Sequence, residues 1–282
     1  MTSPKAVLDT VLRLTAIALL LRPMGPWFVQ PVLLALGAVA LISRQWLRRS
    51  SLWAAVSLAI AIRIADDWPL ADNHIYLLAY WTLALALALR AADAPAVLAA
   101  TSRWLIGLAF VFAVLWKAAW SPDFLDQRFF RVTLLTDPRF TEVTMLIGGL
   151  SAKDLAADRA ALAPLPHGAE LLDPPVIVEP QRLKAFAAIS TWGIVALEAA
   201  VAALMFAGSK AAGLRHAALL LFCTVTYAFA PVAGFGWLLL VMGLAQVDPA
   251  RVWLGRTYVA TFLAVLFHSE VPWPGLLLDA IR

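Results

Sequence analysis

The chain has 282 residues, 62% of them hydrophobic and 14% charged, with a mean hydropathy of +0.82 and a formal net charge of +4. These fractions lie well beyond those of soluble globular domains and exclude that class. The modest charge sits mostly in short connections between apolar runs, which excludes nucleic acid as a partner, and the single cysteine, Cys223, excludes both an intrachain disulfide and a cysteine-based metal cluster.

Apolar runs of roughly 15 to 22 residues recur along the chain, about the length a helix needs to cross the hydrocarbon core. Strand-like alternation is absent, so the pattern predicts an all-α, polytopic transmembrane helical bundle of about 8–9 spans rather than a barrel. One integral membrane domain over 1–282 is expected, since no polar stretch is long enough to fold separately.

The first run, 6–21, is broken by Asp9 and Arg13 and is followed by no small-x-small cleavage site. It reads as a partly interfacial helix, not a signal peptide. After the turn at Pro23 and Pro26, a second span is predicted over 27–43, closed by Arg44, Arg48 and Arg49. The third, 51–65, carries Arg63 near its end and leads into an acidic turn with Asp66, Asp67 and Asp72. A fourth span covers 74–89, and 90–103 reads as its connection to a fifth over 104–120.

The polar stretch that follows, at about 121–183, is longer than a bare loop and is expected to be a partly helical insertion lying over the membrane face. Within it, 151–162 predicts a short amphipathic helix capped by a serine, and Phe129, Phe130 and Phe140 are expected to face apolar surface while Arg131 and Arg139 reach water. A sixth span at 184–206 holds Glu198 near its middle. Spans at 215–230, 235–247 and 258–268 complete the set.

Lysines and arginines alternate in density between successive connections. Their bias places the N-terminus in the cytoplasm and the insertion outside, in what reads as a bacterial cytoplasmic membrane. Trp27, Trp46, Trp68, Trp104, Trp120, Trp253 and Trp273 fall near run ends, as interfacial rings do, whereas Trp81, Trp116, Trp192 and Trp237 lie further inside.

Ionisable residues inside apolar runs are expensive and default to functional candidates. Arg63, His74, Lys117 and Glu198 all point toward the half of the membrane that faces the insertion. Each has a plainer reading beside the chemical one. Arg63 and Asp67 stand four apart and form an ion pair across one helical turn; Lys117 either snorkels or is buried; His74 starts a helix that Asn73 would cap. Glu198, mid-span, must pair or hold a proton. At 1.5 Å per residue it is expected roughly 20 Å below its helix start, out of direct contact with Lys117 and His74. Those two would face one another across a shared cavity, with Glu198 forming its floor or pairing with a neighbouring helix.

Asp72-Asn73-His74-Ile75-Tyr76-Leu77-Leu78 resembles the Asn-His-x-Tyr-Leu motif of the vitamin K-dependent gamma-carboxylase and its wider bacterial relatives, the horizontally transferred transmembrane (HTTM) proteins. Phe112 to Lys117, followed by Asp123-Phe124-Leu125-Asp126, is similar to that family's lysine helix. Ala196-Leu197-Glu198 and the segment from Phe222 to Gly234-Phe235 resemble two further pieces, in order, over about residues 60 to 245. The resemblance implies Lys117 as the base that deprotonates a reduced quinone and His74 as its partner in catalysis. Glu198, Arg63, Trp116 and Tyr80 are the candidate substrate-binding residues beside them. Cys223 stands where the family has a histidine, and Val114 where it has a glycine. No large domain for holding a peptide follows, so peptide carboxylation is not implied. Two readings stay open: an enzyme acting on a quinone or another lipophilic substrate, and a non-enzymatic membrane protein binding a lipid or protein partner.

Overall fold

The computed structural model describes residues 3–22, 24–165, 167–168, 170, 173–229 and 233–270; Trp273 lies outside them. The described residues are helical, with no strand among them. In chain order the helices are α1 (Pro4–Leu21), α2 (Gln30–Ile42), α3 (Arg44–Leu47), α4 (Ser50–Asp66), α5 (Asn73–Ala88), α6 (Ala94–Leu115), α7 (Pro122–Leu125), α8 (Arg128–Thr136), α9 (Thr141–Leu146), α10 (Ala152–Ala161), α11 (Gln181–Phe206), α12 (Ala212–Phe229), α13 (Ala233–Leu244) and α14 (Val252–Glu270).

The organising element is α13, which packs against α1, α5, α6, α12 and α14. Trp237, Leu239, Leu240, Val241, Met242 and Leu244 are all buried, as expected of a helix that is apolar on every side. Glycines bring its neighbours close: at Gly236 an added Cβ would meet the Tyr227 ring at 2.6 Å. Around this axis α4 lies on α5 and α2, α2 on α1, and α11 on α6 and α12. One continuous apolar core results.

Polar ties cross that core sparingly. The Asp9 carboxylate accepts from Arg44 Nη2 at 2.8 Å and from Arg48 Nε at 2.6 Å, fastening α1 to α3 and the loop after it. Trp81 Nε1 donates to Thr15 Oγ1 at 3.1 Å, and Ser50 and Ser57 donate to the Ala86 and Ala79 carbonyls of α5.

A second, smaller core holds the insertion. Leu134, Leu135, Phe140, Leu150 and Leu155 pack with Leu183 and Ala187, the first turns of α11. The Ser151 cap is present, accepting from the Asp154 N–H at 3.1 Å. Phe140 is buried and Phe130 packs against the same cluster, but Phe129 is exposed. The arginines do not simply reach water: Arg131 is tied to Glu179, and Arg139 to Asp137.

Several predicted boundaries shift in one direction. Helix α6 starts at Ala94, capped by Asp93, which accepts from the Ala96 N–H at 3.1 Å; its first turns occupy what reads as a connection. Helices α11 and α14 likewise begin earlier than their apolar runs. Charged residues near a run's edge mark where a helix leaves apolar surroundings, not where it ends.

Three stretches are long and apolar enough to cross a membrane: Ala94–Trp120, Gln181–Phe206 and Ser209–Phe229. Shorter apolar helices cover Gln30–Ile42, Asn73–Ala88, Gly234–Leu244 and Val252–His268. The outer surface carries many exposed apolar side chains, among them Ile42, Leu58, Phe112, Ile189, Leu214 and Phe267. So many on one molecule is far from the isolated residues of a soluble surface.

Candidate functional site

Helix α6 gives way at Trp116–Trp120 to a single π turn, a local widening found often at functional positions. Lys117 is on this turn. Its Nζ lies 2.6 Å from each carboxylate oxygen of Glu198, with side-chain exposures of 18% and 8% for the two residues. The ammonium also sits 5.2 Å from the centroid of the Phe124 ring, a cation–π distance. Phe124 is in turn packed against Phe129 and Phe130. Lys117 is therefore held in an ion pair between α6 and α11. An ammonium engaged by both oxygens has no lone pair to offer while the pair stands.

The direct contact corrects the expected depth of Glu198. Because Leu183 and Ala187 belong to the insertion's core, the first turns of α11 rise above the apolar bundle. Glu198 consequently comes level with the end of α6 instead of lying beneath it.

His74 belongs to a different place. It lines a cavity of about 480 Å³ whose polar wall is formed by Arg22, Arg63, Asp72, His74 and Arg139. Ala18, Met24, Ile75, Leu78, Leu238 and Val241 form the apolar part. Lys117 and Glu198 do not line it, so the shared cavity expected for His74 and Lys117 resolves into two sites. The reason is helix order: Glu198 and Lys117 face one another where α11 packs on α6, whereas the cavity opens among α1, α5 and α13.

Within the cavity wall, Arg63 Nη2 meets Asp67 at 3.0 Å, the ion pair that the spacing predicts. Arg63 Nε is buried with no hydrogen-bond partner among the described residues. The Arg63 stem lies against Gly25, where an added Cβ would come within 3.2 Å of Arg63 Cδ. Gly25 has φ +97, a left-handed conformation that glycine adopts without steric cost. Arg139 reaches the cavity from the insertion, and its hydrogen bonds hold the Asp137 carboxyl below the usual carboxylate range. His74 Nε2 stands 4.0 Å from Asp72. Asp72, not Asn73, is the N-cap of α5, and it makes no side-chain cap bond.

Trp116 and Tyr80 lie on the outer surface, 63% and 58% exposed, and neither lines the cavity. Trp192 is exposed too, while Trp81 and Trp237, with Trp53, are buried in the core. Two buried polar sites have no counterpart in the sequence reading. Arg215 donates to the carbonyls of Leu204, Ala207 and Gly208, closing the C-terminus of α11; a basic residue soon after Ala207-Gly208 is the signal that could have found it. His216 Nδ1 lies 2.9 Å from Tyr258 Oη, a pairing 42 residues apart with no local signature.

No family model, no curated protein and no solved structure matches the chain.

Proposed function

We propose that the chain is an integral membrane protein of the HTTM type that takes a lipophilic molecule with a polar head, a quinone or a lipid, into the cavity at His74. The cavity's mixed lining carries this reading: Arg22, Arg63, Asp72, His74 and Arg139 supply polar groups beside aliphatic side chains, in a volume of about 480 Å³, within the range of small-molecule sites. In this proposal nine apolar helices, α1, α2, α4, α5, α6, α11, α12, α13 and α14, are the spans. The shorter ones are accommodated by tilt and by packing inside the bundle. The N-terminus is cytoplasmic, the membrane is the bacterial cytoplasmic membrane, and the insertion with the mouth of the cavity is outside.

The orientation has a direct test. Ala157, on the exposed face of α10, and Ala92, in the exposed turn before α6, lie on opposite sides in this proposal. With Cys223 fully buried, an impermeant thiol reagent on intact cells is expected to label Ala157→Cys and to spare Ala92→Cys. The reverse pattern inverts the topology.

Ala18 belongs to the apolar part of the cavity, and Ala18→Phe fills it. Native mass spectrometry of the detergent-solubilised protein is expected to find a lipophilic molecule retained by the unmodified chain and lost from this variant. Equal retention by both would show that the molecule sits elsewhere and end the reading.

The burial of Lys117 under Phe124 favours a second reading, in which the chain is an enzyme and Lys117 its base. Lys117 would then have to pass its proton to the Glu198 carboxylate, leaving a neutral amine beside a carboxylic acid, before it could accept a proton from a lipophilic substrate entering between α6 and α11. The non-enzymatic reading needs no such step, because the pair simply holds the two helices together.

A further inference from the structure

We infer that the head group taken by the His74 cavity is an anionic phosphate, so that its ligand is a phosphate ester carried on a hydrocarbon tail. The inference rests on reading this cavity as the site of a lipophilic ligand and names the chemistry of the head. Three arginines, Arg22, Arg63 and Arg139, line this one cavity with a single carboxylate, Asp72, among its lining residues. Like charges brought together in partly desolvated surroundings repel unless something answers them. Asp67 and Asp137 each engage one edge of Arg63 and Arg139. A guanidinium has five donors, so one carboxylate leaves others unfilled.

Two features show where the unfilled donors are. Arg63 Nε is buried with no acceptor among the described residues, so Asp67, which meets Nη2, does not satisfy that guanidinium, although a ligand reaches Nε only if the side chain shifts. Arg22 has no ion pair among the described residues, and its stem reaches to 4.0 Å from where a side chain at Gly234 would begin. Its stem therefore passes beside the first turn of α13. The planar guanidinium fork matches phosphate oxygens, and several arginines around one tetrahedral anion satisfy both its charge and its acceptors. A neutral quinone offers two carbonyl oxygens, fewer acceptors than the donors the three carboxylates leave unfilled. Behind the arginines, Ala18, Leu78, Leu238 and Val241 provide an apolar surface for the first carbons of a tail.

The head could come from a bilayer phospholipid, a diester, or from a phosphorylated lipid, a monoester. Thermal unfolding in nonionic detergent separates them, with didecanoyl phosphatidylglycerol, didecanoyl phosphatidic acid, didecanoylglycerol and inorganic phosphate as probes. The two anionic lipids are expected to raise the apparent Tm saturably and less at high salt, while the uncharged glyceride and inorganic phosphate leave it unchanged. A response to both lipids supports the inference with a bilayer phospholipid as the source, and a response to phosphatidic acid alone supports it with a monoester. Arg22→Gln, which breaks no ion pair, is expected to weaken the response about tenfold, the loss of one charge-assisted hydrogen bond; its Tm without lipid checks that it folds. Equal stabilisation by didecanoylglycerol overturns the phosphate inference and leaves the lipophilic cavity standing. No response to any lipid overturns both.

Discussion

Glu198→Ala is expected to destabilise the detergent-solubilised protein by about 3 kcal/mol, whereas the double change Lys117→Met with Glu198→Leu should cost less than about 1 kcal/mol. The asymmetry follows from what each change leaves behind. Removing Glu198 alone strands the ammonium of Lys117 at the end of α6, with Phe124 as its remaining neighbour and little exposure through which to reach water. Replacing both partners removes the need for compensation and fills the volume with apolar atoms. Unfolding monitored by size-exclusion fluorescence for Lys117→Met alone, Glu198→Leu alone and the double variant closes a double-mutant cycle. Additive effects would mean that the two residues act independently, contrary to their 2.6 Å contact. The same double variant separates the two functional readings. A protein that binds a ligand in the His74 cavity keeps that binding, while an enzyme with Lys117 as base loses its reaction although it remains folded.

The sequence exposes some of this architecture and conceals the rest for physical reasons. Local patterns are legible: the Ser151 cap and the four-residue spacing of Arg63 and Asp67 both reappear in the structure. Lys117 and Glu198 stand out singly because each is an ionisable group in an apolar run. Their pairing does not, because it spans 81 residues and depends on how far α11 projects above the bundle before it meets α6. Only the packing of Leu183 and Ala187 into the insertion fixes that. The orientation of Trp81 and Trp116 is concealed for another reason. A helix apolar on every face gives no periodic signal of which side is inward. Rotation within the bundle alone decides that Trp81 is buried and Trp116 exposed. The arginines of the cavity were separated for a related reason, since Arg22 ends α1, Arg63 lies on α4 and Arg139 comes from the insertion.

Gly243→Ala is expected to cost about as much as breaking the ion pair, although it adds one methyl group. Gly243 lies on α13, the axis of the bundle, where an added Cβ would come within 2.4 Å of Tyr258 Cε1 and 2.8 Å of Leu219 Cδ2. Neither neighbour can yield without loss. Tyr258 is buried and its hydroxyl is held by His216 Nδ1 at 2.9 Å, so displacing the ring also strains or breaks a buried hydrogen bond. Overpacking costs about 1–3 kcal/mol and an unsatisfied buried polar group a similar amount, which gives about 3 kcal/mol together. Gly193→Ala is the matched control. Gly193 is also helical, but nothing lies within 4 Å of its added Cβ, and there the change should be neutral or stabilise by about 0.5–1 kcal/mol through helix propensity. Tyr258→Leu relieves the clash, so its combination with Gly243→Ala should be less destabilising than the sum of the two. If Gly243→Ala melts with Gly193→Ala, the close approach of α13 to α14 is not what holds the centre of the bundle.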